Sequence, residues 1–143
     1  MNILFIASVA IVTPEPAECR KLFVDTLGLP LERHEGDDYY FSENIGGSKH
    51  FGVWPLSQAA DACFGTTVWP SDRAIPHACF EFEVADKNSV ASAAEELQSN
   101  GYTLLHGVRT EPWGQTIARL QTAEGAIVGI SYAPWLHEAA RPG

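Results

Sequence analysis

Positive charge is scarce in this sequence. Nine Lys and Arg face 18 Asp and Glu, a formal net charge of −9. So acidic a chain is a poor partner for a phosphate backbone, and no nucleic acid is expected. The balance suits a ligand that is neutral or cationic. Cysteine is scarce too, and Cys19, Cys63 and Cys79 show no CxxC spacing. An odd, scattered set excludes a disulfide framework and points to reduced thiols in a cytoplasm. Long apolar runs are missing. The opening "MNILFIASVAIV" has no preceding Lys or Arg and leads straight into "TPEPAECRKLF". It reads as a first strand rather than a secretion signal. No other stretch approaches membrane-spanning length, so no membrane is expected as a partner.

What is present suits one folded domain: 143 residues, 45% hydrophobic, with four tryptophans. The chain runs twice through one pattern. "LFIASVAIV" is a strand, and "TPEPAECRKLFVDTLG" reads as a helix capped by Thr13, with Cys19, Leu22, Phe23 and Leu27 as its apolar stripe and Gly28 as its stop. Strands are expected at "LPLERHE", "DYYFSEN" and "KHFGVWPL". The order then recurs: the strand "HACFEFEV", a helix over "ADKNSVASAAEELQSNG" capped by Asp86, then strands at "YTLLHGV", "GQTIARLQT" and "AIVGISY". The expected organisation is α+β: a first βαβββ module over 1–57, a connecting loop over 58–76, a second module over 77–136 and a tail over 137–143. Helices cover the outer face of a mixed sheet that curves into a cup.

Alternation assigns the faces. Phe80, Phe82 and Val84 suit the helix side, which sends His77, Cys79 and Glu81 to the cup. By the same rule Ser8, Ala10, His50, Gly52, Trp54, Ile127, Gly129 and Ser131 face the cup. Two of these are glycines in strand interiors, where a missing side chain marks a close approach to the backbone.

Several segments together, "LFVDTLGLPLE", "ACFEFEVAD", "LQSNGY", "RTEPWGQTIARL" and "AEGAIVGI", resemble the vicinal oxygen chelate superfamily over nearly the whole chain. That family includes glyoxalase I, extradiol dioxygenases, fosfomycin-modifying enzymes and bleomycin-resistance proteins. "EPWGQT" and "EGAIVGI" look most like the bleomycin-resistance branch. The resemblance implies homodimers with clefts built from both subunits. In its metal enzymes a His opens the first strand of a module and a Glu sits in the last. Those positions fall here on Ser8, Cys79, Gly52 and Gly129, which supply no adequate ligand set. The resemblance therefore implies a cup with no metal and no cofactor, which binds and sequesters a bulky aromatic molecule of the bleomycin, mitomycin, thiocoraline or enediyne kind.

Aromatic contacts to such a ligand are expected from Trp54, Trp113 and Tyr40, while Trp69 and Trp135 read equally well as core or interface. His50, His77, Cys79 and Glu81 read as a polar wall. The alternative is a nonstandard metal site of a glyoxalase- or dioxygenase-type enzyme, though no His-x-His or His-x₃-His spacing supports it. A charge pair between Glu81 and Arg119 is expected across the second sheet. Gln115 in "EPWGQ" either bonds a ligand carbonyl or merely follows a tight turn. Gly52 and Gly129 are expected to open volume at the cup floor. A third possibility is a non-catalytic interaction domain whose cup is filled by its own side chains.

Overall fold

The computed structural model describes residues 1–138. Of the expected tail, residues 139–143 lie outside the described residues. Seven strands form one open mixed sheet: β1 (Phe5–Thr13), β2 (Tyr40–Ser42), β3 (Phe51–Pro55), β4 (Ala78–Glu83), β5 (Arg109–Thr110), β6 (Thr116–Gln121) and β7 (Ile127–Tyr132). Their order across the sheet is β2-β3-β1-β4-β7-β6-β5. The four helices among the described residues are α1 (Pro16–Arg20, continued by a π-helical turn over Lys21–Thr26), α2 (Leu56–Phe64), α3 (Lys87–Ser99) and α4 (Pro134–Glu138).

The two halves meet where β1 lies antiparallel to β4, with Ser8 opposite Glu81 and Ala10 opposite Cys79. Each half repeats one device. β1 runs parallel to β3 and β4 runs parallel to β7, and both pairings need a helical crossover. The strands expected at 29–35 and 102–108 do not form. In the first half that strand is reduced to one pairing, Glu32 with Phe41. In the second, Leu104 and Leu105 turn to different core clusters, and Leu105 N donates to Arg119 O; only the short β5 follows.

α3 forms as its signals require. The Asp86 carboxylate accepts from Ser89 N at 2.8 Å and caps the first turn. Its stripe, Val90, Ala93 and Ala94, packs on Val84, Ala118 and Ile130 from the outer face of the sheet. At α1 the N-cap is Glu15 rather than the expected Thr13, whose hydroxyl accepts from Glu15 N at 2.9 Å in a turn just before the helix, and Pro16 opens the helix.

α2 lies in the segment expected as a loop. Pro55 starts it, and Gly65, at φ 76°, stops it in the left-handed region that glycine favours. Its small face, Ala59, Ala60 and Cys63, packs on Ala10, Val12, Cys79 and Ile127. These sheet residues all belong to the cup face. α2 therefore fills one end of the cup, while α3 covers the opposite side of the sheet. At the other end α4 joins a smaller cluster, in which Leu136 and Ala133 meet Ala7.

Candidate functional site

Between α2 and α4 the concave face keeps a cavity of about 410 Å³. The sheet supplies its floor with Ser8, Ala10, Cys79, Glu81 and Arg119. Tyr39, Phe41 and His50 form one wall, Trp54 and Gln58 another. Trp113, Gln115 and α4, with Trp135 and Leu136, complete it. No helix among the described residues is long and apolar enough to cross a membrane.

Most of the expected site residues line this cavity: His50, Trp54, Cys79, Glu81, Trp113, Gln115 and Arg119. Tyr40 does not. Phe41 pairs with Gly52 and therefore shares its cup face, whereas Tyr40 pairs with Val53. The Tyr40 ring instead lies near the Arg20 and Arg33 guanidiniums, each about 5.7 Å from its centroid. Its neighbours Tyr39 and Phe41 take the place expected of it. His77 also stays outside. β4 begins at Ala78, so the alternation does not extend to His77, which is exposed in a bend. Trp69 is core, with its indole N–H donating to Ala74 O at 3.0 Å, but Trp135 joins the cavity wall.

The glycines do not open the floor. A Cβ on Gly52 would lie 2.5 Å from the Tyr39 hydroxyl and 2.7 Å from that ring's Cε1. A Cβ on Gly129 would lie 2.8 Å from Ile117 Cδ1 and 3.3 Å from Glu81 Cγ. Each glycine makes room for a neighbouring side chain that occupies the cup itself.

Glu81 and Arg119 both stand opposite Gly129, one strand to either side, yet they do not pair. Arg119, 1% exposed, donates from Nη1 to His106 Nε2 at 3.1 Å and lies 3.5 Å from Glu111 through Nη2. Its guanidinium carbon sits 5.8 Å from the centroid of the Trp54 ring. Burial holds His106 below its ordinary pKa. Its neutral Nε2 can then accept from Arg119, while Nδ1–H donates to Gly107 O.

Glu81 belongs to a different network. Gln115 Nε2 donates to Glu81 Oε1 and to Ser131 Oγ, both at 2.8 Å. Gln115 Oε1 accepts from the Trp113 indole N–H at 2.9 Å. The Ser131 hydroxyl donates to Glu83 Oε1 at 2.8 Å. Glu83 Oε2 accepts from Ala133 N at 2.5 Å and lies 2.9 Å from His137 Nε2. Burial raises the Glu83 pKa. Sequence reasoning missed Glu83, and it placed Ser131 on the cup face without giving it a role. Their signal was parity alone, since they continue the faces of Glu81 and Gly129.

On the opposite wall, Tyr39 OH hydrogen-bonds His50 Nε2, and the two rings stack with Phe41. Burial, followed by the negative field of Glu81 and its neighbours, pushes the Tyr39 pKa well above its ordinary value. The phenol therefore stays protonated. Cys79 is also pushed well up by burial, so its thiol is a packing group rather than a thiolate.

A metal does not fit the expected positions. Carboxylates at positions 52 and 129 would need space that Tyr39 and Ile117 fill. No three His, Cys, Asp or Glu among the described residues converge to hold an ion.

The open mixed sheet and its concave cavity define a glyoxalase-type fold. A model of the Glyoxalase/Bleomycin resistance protein/Dioxygenase superfamily matches residues 5–129, and the chain belongs to that superfamily. Solved structures share the fold. A glyoxalase/bleomycin resistance protein/dioxygenase superfamily member from Vibrio splendidus is 11% identical, with a TM-score of 0.59 over 92% of this chain and 100% of its own. Methylmalonyl-CoA epimerase from Mycobacterium tuberculosis is 15% identical, with a TM-score of 0.59 over 95% of this chain and 93% of its own. The Mn(II)-bound glyoxalase from Novosphingobium aromaticivorans is 16% identical, with a TM-score of 0.57 over 89% of this chain and 37% of its own. A search of curated protein sequences finds no significant match.

Proposed function

We propose that this protein binds and sequesters a bulky aromatic small molecule, of the antibiotic kind implied by its likeness to bleomycin-resistance proteins, without a metal. The observation that carries this reading is the cavity itself. It measures about 410 Å³ and is walled by Trp54, Trp113, Trp135, Tyr39 and Phe41. That volume suits a drug-sized ligand, and flat aromatic walls suit stacking. The occupied space above Gly52 and Gly129 supports the same reading, because it leaves no room for the family's metal-binding carboxylates.

Pairing of two copies forms part of the proposal. Ile6, Leu22 and Leu27 are exposed and offer apolar surface for it. Light scattering after size exclusion reads the mass directly.

A thermal-shift screen of aromatic, DNA-damaging antibiotics tests the function. Ligand binding to the folded state alone raises the melting temperature with concentration. A flat response across the screen, or purified protein carrying stoichiometric zinc, iron or manganese, overturns it.

A further inference from the structure

We infer that the ligand of this cavity is an organic cation, held by the Glu81 carboxylate against the face of Trp113. This rests on the binding function proposed above and adds the charge of the ligand.

Gln115 is the centre of the argument. It is 5% exposed, and three partners take both of its amide N–H groups and one lone pair of its oxygen. One end fixes Glu81 Oε1 and Ser131 Oγ, the other fixes the Trp113 indole. A single buried side chain therefore orients a carboxylate and an aromatic plane together. Trp113 is 53% exposed, so such an orientation needs an anchor. The second oxygen of Glu81 bonds no side chain among the described residues and remains able to accept. A carboxylate and an exposed indole tied to one amide can attract an ammonium or iminium group together, the first by charge and the second by its ring quadrupole.

The other titratable groups around the cavity favour the same sign. Asp37 and Glu43 add two carboxylates, and His34 and His50 are the histidines. The cation in the lining, Arg119, is held in part by others: Trp54 lies against it, and Glu111 and His106 take its Nη groups, while its buried Nε has no partner among the described residues. Burial first, and then the field of Glu81, Cys79, Glu43 and Asp37, raises the Tyr39 pKa.

Three acridines of one ring system test the inference by tryptophan quenching at pH 7.5: 9-aminoacridine as the cation, acridine as the neutral form and acridine-9-carboxylate as the anion. The cation is expected to bind about tenfold or more tighter than acridine, with the anion weakest. In Glu81→Gln the cation-to-neutral ratio is expected to fall towards one. Should that variant fail to fold, the wild-type ratio must still shrink in about 0.5 M salt. Neutral acridine binding as tightly as the cation overturns the inference and leaves aromatic binding standing. So does a ratio that survives Glu81→Gln. Binding by none of the three overturns both.

Discussion

The Tyr39 hydroxyl stands where a Gly52 side chain would begin, 2.5 Å from the position of its Cβ. Gly129 and Ile117 repeat the relationship in the other half, with Ile117 Cδ1 2.8 Å from the Gly129 Cβ position. In both halves, the place where catalytic relatives are expected to carry a metal-binding carboxylate is filled from a neighbouring residue.

Gly52→Ala and Gly129→Ala should both destabilise the fold, by about 1–3 kcal/mol each. Gly52→Ala should cost more. It must move the rigid Tyr39 ring, whose hydroxyl, Cε1 and Cζ lie 2.5, 2.7 and 2.9 Å from the Cβ position, and disturb the Tyr39–His50 hydrogen bond, whereas at Gly129 the nearest atom is the terminal methyl of Ile117 and the next lies at 3.3 Å. Ile117→Val removes that atom, so the Gly129→Ala/Ile117→Val double variant should recover part of the single-variant loss. Urea denaturation reads all four, and additive losses would place the strain elsewhere.

Stability should fall as the solution is acidified through the titration of His106. Its ordinary pKa is near 6.5, and burial lowers it in the fold. Between those two values the unfolded chain binds more protons, so stability rises with pH across that window. The contribution is complete above pH 6.5 and is lost as pH drops through the lowered value. Below it, a second cation faces Arg119 and the Nε2 acceptor is gone. His106→Gln should flatten this part of a melting-temperature profile between about pH 5 and 7. An unchanged profile would assign the effect to another group.

Thiol chemistry should single out Cys19. Cys63 and Cys79 are buried, and burial pushes the Cys63 pKa up to about 11 and that of Cys79 well above its ordinary value. Cys19 is half-buried on α1. In native protein an aromatic disulfide reagent should titrate one thiol quickly, and all three only after unfolding. Fast reaction in the Cys19→Ser variant would contradict this.

Much of this site could be read from alternation along strands that really form. β4 and β7 placed Cys79, Glu81 and Gly129 correctly, because Phe80, Phe82, Val128 and Ile130 mark the opposite face. The rule failed where the strand was absent. His77 lies one residue before β4, and "YTLLHGV" offers adjacent leucines to two clusters instead of one face. Tyr40 needed the register with β3, which a single sequence does not contain. α2 was legible in part. Ala59, Ala60 and Cys63 share one face between Pro55 and Gly65, but small residues make a weak periodic signal among Ser, Thr, Gly and Pro. The Glu81–Arg119 pair was a reasonable expectation from two charges in strand interiors. Glu111 and Gln115, both brought in by the turn over residues 111–115, supplied each with another partner.

The central claim is that the cavity binds its aromatic ligand with no metal. Titration of the tryptophan emission with 9-aminoacridine, in excess EDTA and again with added zinc or manganese, tests it most directly. The account predicts one saturable site per chain with the same Kd in all conditions. Binding that is absent in EDTA and restored by one equivalent of metal would contradict it.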